Sequence, residues 1–206
     1  MKIQYIYFDM GGVAILDFSK TNKWDDLINS LGLSDENKTV FKAFFKERET
    51  GICKGEDIEN LVPVLRTQFN AKLDPDFSLL NGFVSRFEKN KKLGTIIKSL
   101  EGKVKMGLLT NAYPKMLDAI IARGLLPNVK WDNIVDSSVV SLAKPQKEIF
   151  DLAAKQAGVS PKNILFVENS QMHVDAASKL GWQTLLYDPA NVDESNTRLL
   201  KMLKGF

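Results

Sequence analysis

Four short stretches carry the side chains able to do chemistry: Asp9 with Gly11 and Gly12 behind it, Thr110-Asn111, Lys144-Pro145, and Glu168-Asn169. A carboxylate serves as a nucleophile or as a ligand for a hard cation. A hydroxyl beside a backbone N–H holds the oxygens of an anion, and an ammonium offsets negative charge. None of these is specific alone, since Asp followed by Gly is ordinary turn chemistry, Thr an ordinary N-cap and Lys an ordinary surface residue. Their placement along the chain gives them weight.

Each stretch follows an apolar run of strand length. Ile3 to Phe8 ends at Asp9, Val104 to Leu109 runs into Thr110-Asn111, Ile134-Val135 precedes the Lys144-Pro145 segment, and Asn163 to Val167 ends at Glu168-Asn169-Ser170. Helical spacing separates the runs: Met116, Ile120 and Ile121 up to Gly124, then Ile149, Phe150 and Ala153, then Val174, Ala177 and Leu180 before Gly181 and a last strand near Gln183 to Tyr187. Strands alternating with helices predict an α/β fold with a doubly wound parallel sheet and right-handed crossovers. In such a sheet the carboxyl ends of the strands share one edge, so the four stretches converge on one small ligand.

Between the first strand and the rest, apolar residues recur at helical rather than strand spacing: Trp24, Leu27, Ile28 and Leu31, then Val40 to Phe45, Ile58 to Leu65, and Phe77 to Phe87. Four or five helices are expected there, with breaks at Gly32 to Asp35, Gly51 to Gly55 and Asp74-Pro75. The chain thus divides into a core of residues 1–16 and 94–206 and a helical insertion of residues 17–93.

Composition excludes several classes. The net charge of +3 is the small difference between 28 basic and 25 acidic residues, with no long single-sign block, which argues against nucleic-acid or membrane binding. One cysteine, Cys53, rules out an intrachain disulfide, and one histidine, His173, rules out a multi-histidine metal site. No signal-peptide pattern or membrane-length apolar run is present, so a cytoplasmic location is expected.

The strings FDMGGV, LLTN, LAKPQKEIF and ILFVENSQMHVDAASKLGW, in that order, resemble the haloacid dehalogenase (HAD) superfamily. They look most like its small sugar-phosphate phosphatases and the N-terminal phosphatase domain of soluble epoxide hydrolases. The resemblance implies a Rossmann-like HAD core whose insertion is a cap. It implies a phosphatase of a small phosphorylated metabolite in which Asp9 attacks phosphorus and forms an aspartyl-phosphate. Thr110 and the Asn111 N–H would hold phosphoryl oxygens, Lys144 would offset the charge, and Asp9, the Gly11 carbonyl, Glu168 and Asn169 would bind Mg²⁺.

Two positions depart from the commonest family pattern. Many HAD phosphatases carry a second Asp two residues after the nucleophile as general acid and base, where this chain has Gly11. Acid–base help of that kind is worth about 10²–10⁴ in rate. The fourth motif usually supplies two acids and here reads Glu168-Asn169, one formal charge fewer, so a weak Mg²⁺ site is expected. These departures keep open a degenerate phosphate-binding or regulatory protein. A 2-haloacid dehalogenase ranks third, because those enzymes carry Tyr where Gly11 stands. Three residues receive bland readings: Asp17 as a surface turn or hinge, and His173 and Asp175 as first-turn helix residues. Lys54, in a loop from Glu49 to Lys54, is the candidate for reaching a substrate anion.

Overall fold

The computed structural model describes residues 2–204. Its centre is β1 (Tyr5–Phe8), whose side chains are at most 1% exposed because the strand is covered on both faces. It pairs in parallel with β4 (Lys105–Thr110) on one side and β6 (Ile164–Glu168) on the other. β5 (Asn133–Asp136) and β7 (Gln183–Leu186) complete the order β5-β4-β1-β6-β7, all parallel. Near-continuous apolar runs suit strands buried on both sides.

Helices cover both faces. On one, α5 (Lys91–Leu100) and α10 (Val192–Met202) bring Leu93, Ile97, Leu100 and Leu199 against Ile6, Phe8 and Leu108. On the other, α8 (Lys147–Ala157) and α9 (Gln171–Lys179) bring Ile149, Phe150, Ala153 and Ala177 against Tyr5, Tyr7 and Phe166. The doubly wound reading holds. The lysine-rich stretch around Lys91 lies on α5, which buries its apolar stripe and turns its lysines to solvent. Helix α10 was not anticipated, because its sequence is mostly polar and buries little beyond Ser195, Asn196 and Leu199.

The insertion begins and ends on a two-stranded stalk, β2 (Ile15–Leu16) paired antiparallel with β3 (Glu88–Lys89). It carries α1 (Lys23–Ser30), α2 (Asp35–Ile52), α3 (Leu61–Thr67) and α4 (Leu79–Val84), with a 3₁₀ turn at Ile58–Asn60. Ser34 caps α2 by accepting the Asn37 N–H. Glu59 caps α4, accepting from the Leu79 and Leu80 N–H groups and the Ser78 hydroxyl. The aromatic stripe forms this unit's core: Phe18, Trp24, Phe45 and Phe83 lie ring to ring at centroid distances of 5.0–6.2 Å. That core continues into the sheet's edge through Tyr113 and Met116, the latter at the start of α6 (Met116–Ala122). A further short helix, α7 (Ser137–Val140), follows β5. Among the described residues no helix is long and apolar enough to cross a membrane.

Candidate active site

The carboxyl ends of β1, β4 and β6 open, with the cap, onto one cavity of about 630 Å³. Asp9 directly follows β1 and is fixed there by its own backbone: its N–H donates to Val167 O and its carbonyl accepts from the Ala14 N–H. The turn after it needs glycine at position 12, where φ is +73° and a Cβ would fall 2.1 Å from Asn169 Nδ2.

Lys144 joins the strand ends. Its Nζ lies 2.8 Å from Asp9 Oδ1 and 2.6 Å from Glu168 Oε2, and it is 4% exposed. The Lys144-Pro145 bond is cis, and α8 starts three residues on, at Lys147, rather than at Lys144 itself. The Asn111 side chain spans 33 residues to hold this segment, accepting the Lys144 N–H on Oδ1 and donating to the Lys144 carbonyl. Sequence inspection gave Asn111 a role only through its backbone. Thr110 is 1% exposed at the end of β4 and is not part of the cavity wall, whereas Asn111 is.

Two carboxylates share one ammonium, and the three groups shift accordingly. Burial, with Glu168 beside it, pushes the Asp9 carboxyl up to about 8 despite the pull of Lys144. Burial also acts to raise Glu168, but the charge of Lys144 and the His173 ring outweigh it and hold that carboxyl at about 2. Lys144 is driven down by burial and driven further up by its two acids, so it stays charged. His173, given a bland reading from its helix position, lies with Nδ1 3.2 Å from Glu168 Oε2.

The oxygens left over decide what else fits. Glu168 is fully engaged, with Oε1 accepting the Asn169 and Ser170 N–H groups and Oε2 facing Lys144 and His173. Asp9 Oδ1 takes Lys144 and the Met10 N–H. Among the described residues, Asp9 Oδ2 and Asn169 Oδ1 have no protein hydrogen-bond donor, and both residues line the cavity. No group of three or more His, Cys, Asp or Glu side chains among the described residues forms a ready metal cage. A site offering a carboxyl oxygen of Asp9 and an amide oxygen of Asn169 fits Mg²⁺, which favours oxygen ligands and keeps several of its waters.

The opposite wall comes from the cap. Glu49, Thr50 and Cys53 face the cavity, but Lys54 does not, so the proposed anion contact by Lys54 is corrected. The expected loop is instead the last turn of α2, which runs through Gly51 to Ile52 and leaves Lys54 in the turn beyond the helix, off the cavity wall. Burial and the Glu49 charge push the Cys53 thiol up to about 12, which closes thiolate chemistry at neutral pH. Glu49 accepts the Tyr113 hydroxyl at 3.1 Å. Asp17 also lines the cavity instead of forming a surface turn, and burial raises its carboxyl even though Ser19 donates to it.

A family model for haloacid dehalogenase-like hydrolases matches residues 3–181. The chain is 26% identical over 198 residues to the D-ribitol-5-phosphate phosphatase of Bacteroides thetaiotaomicron, covering 92% of this chain and 93% of that one. It is 25% identical over 112 residues to the (S)-2-haloacid dehalogenase of Xanthobacter autotrophicus, covering 53% of this chain and 44% of the relative. Among solved structures, a HAD family enzyme from Bacteroides thetaiotaomicron in complex with magnesium and inorganic phosphate superposes with a TM-score of 0.71 at 21% identity, covering 91% and 95% of the two chains. A HAD-like family hydrolase from Porphyromonas gingivalis gives 0.75 at 24% identity, covering 98% and 99%.

Proposed function

This chain belongs to the haloacid dehalogenase-like hydrolases, whose family model spans residues 3–181, and from that premise we infer that it is a metal-assisted phosphatase of a small phosphorylated metabolite. The observation that carries the reading is Lys144 Nζ held between Asp9 and Glu168 on the wall of the cavity between core and cap. Asp9 Oδ2 is the attacking atom, because Oδ1 is occupied by Lys144 and the Met10 N–H. As phosphorus is attacked, Lys144 counters the charge on the nucleophile and on the equatorial oxygens. Asn111 keeps Lys144 in place and, on the cavity wall, offers its backbone N–H to the phosphoryl group, while Thr110 is buried behind it. Asp9 and Asn169, backed by Glu168, would hold Mg²⁺, which supplies charge neutralisation at the phosphoryl oxygens.

The cap wall narrows the substrate. Glu49 and Thr50 bring a carboxylate and a hydroxyl to face the leaving group, and among the described residues no cap Lys or Arg lines the cavity. Those partners suit a hydroxylated, uncharged alcohol better than a second phosphate. The relative named as a D-ribitol-5-phosphate phosphatase supports a polyol or sugar monophosphate. The test is hydrolysis of a phosphomonoester panel with and without Mg²⁺, with Asp9→Asn as control. Magnesium-dependent phosphate release lost in Asp9→Asn is expected. Release of halide from 2-chloropropionate, with no phosphate from any ester, would overturn the reading.

A further inference from the structure

Position 11, where relatives with a second acid carry it, is not empty space in this protein. A Cβ built on Gly11 would fall 2.3 Å from Asp17 Oδ2 and 3.1 Å from Asp17 Cγ. The Asp17 carboxyl therefore fills the volume into which a side chain at position 11 would project. The backbone does not demand glycine there: Gly12 has a positive φ and Gly11 does not. A side chain at position 11 would have to displace the Asp17 carboxyl.

The fold explains how a residue six positions later returns to this place. Residues 11 and 15 form an isolated bridge, and β2 is pinned to β3 across the stalk, so the chain doubles back over its own nucleophile turn. Asp17 follows β2 directly. Its Oδ1 takes the Ser19 N–H at 2.8 Å, which turns Oδ2 toward Gly11. Ser19 in turn accepts from Asn169 Nδ2 at 2.9 Å, tying this turn to the end of β6.

Elimination favours the same residue. The acidic side chains on the cavity wall are Asp9, Asp17, Glu49 and Glu168. Asp9 and Glu168 are committed to Lys144, and Glu49 belongs to the cap wall with Tyr113. Among the described residues, Asp17 alone is a cavity-wall carboxyl set against the nucleophile turn, at Gly11, with no basic partner in contact.

We propose that Asp17 is the general acid and base of the reaction, delivering from position 17 the carboxyl that position 11 lacks. The assignment rests on the phosphatase reading above. In the first half-reaction Asp9 Oδ2 bonds to phosphorus, the bond from phosphorus to the ester oxygen breaks, and that oxygen takes the proton of the Asp17 carboxyl. In the second, a water gives a proton to the Asp17 carboxylate as its oxygen attacks the same phosphorus. The bond to Asp9 then breaks, freeing inorganic phosphate and restoring both carboxyls.

The test compares first-turnover rates on p-nitrophenyl phosphate, whose phenolate leaves unaided, and on ribitol 5-phosphate, whose alkoxide does not. Asp17→Asn is expected to slow the alkyl ester about 10²–10³-fold and the aryl ester by less than about tenfold. Moving the acid back, Gly11→Asp combined with Asp17→Gly, is expected to recover at least about tenfold on the alkyl ester over Asp17→Gly alone. This swap decides the matter even if Asp17→Asn proves unstable. Equal losses on both esters, or no gain from the swap, overturn the role of Asp17 while leaving the phosphatase intact. A wild type that hydrolyses neither ester removes the phosphatase reading and this assignment with it.

Discussion

The Asn111 side chain grips the backbone of Lys144 at two points, accepting its N–H at 2.8 Å and donating to its carbonyl at 2.9 Å. This clamp sets where the ammonium sits between two acids on two other strands. Asn111→Ala should therefore lower turnover by about 10–100-fold, the scale expected of a misplaced charge-stabilising group. Two lost hydrogen bonds should cost about 1–3 kcal/mol of stability. Phosphatase assays and urea denaturation measure the two effects. A variant that loses stability but keeps full turnover would show that Lys144 is positioned by its acids alone.

Lys144→Ala removes the shared cation and leaves Asp9 and Glu168 buried side by side. Breaking a buried pair in this way costs about 3–5 kcal/mol. The loss should be greatest at alkaline pH and smaller at neutral pH, where Asp9 holds a proton. Binding of a beryllium fluoride phosphate mimic should weaken at least tenfold in calorimetry, judged as about 1.4 kcal/mol of a single charged contact. Unchanged affinity would reduce Lys144 to a structural counter-ion.

Why the sequence discloses some of this and not the rest has a physical explanation. The strand ends are legible because each is a local event, an apolar run of period suited to burial that stops at a polar residue, as at Phe8-Asp9 and Val167-Glu168. The cap helices are legible for the same reason, through spacing such as Phe41, Phe45 and Ile52 on α2. Asp17 was misread because its position depends on β2 pairing with residues more than seventy positions ahead, a contact with no local signature. The Asn111 clamp is likewise long-range. The end of α2 was misplaced because Gly51 is a usual helix breaker, worth about 0.5–1 kcal/mol against the helix. Here a Cβ at position 51 would meet Glu56 Oε1 at 2.4 Å, so glycine serves the packing of the following turn.

Asp9→Asn should abolish hydrolysis and also stabilise the metal-free protein at alkaline pH. The carboxyl has an ordinary value of 3.8 and is pushed up to about 8 in the folded state, first by burial and then by Glu168. A carboxyl raised on folding supports the fold most when protonated, below about 4, and that support drains away as the pH climbs toward 8. The amide carries no charge and has no such loss. Melting temperatures of variant and wild type should thus converge near pH 4 and separate by several degrees at pH 8, the variant higher. A variant that melts lower than wild type at pH 8 would show that the ionised nucleophile is not a burden on the fold.

Asn169 is the remaining departure from a fully acidic site, and its geometry fixes what replacing it should do. Its Oδ1 has no donor among the described residues, while Nδ2 donates to the Ser19 hydroxyl. In Asn169→Asp the Ser19 hydroxyl can turn and donate instead, so the contact survives and the lone oxygen gains charge. Mg²⁺ should then bind more tightly, by about tenfold for one added unit charge at a partly solvated site. The same carboxylate adds a third acid near Lys144, so the metal-free variant should melt lower than wild type and regain its stability as Mg²⁺ is titrated in. Calorimetry of Mg²⁺ binding and melting curves across a Mg²⁺ series give the two readings independently of turnover. If the affinity stays put while the metal-free protein is destabilised, Asn169 lies beside the cation rather than against it, and the ligand set proposed from Asp9 and Asn169 is wrong.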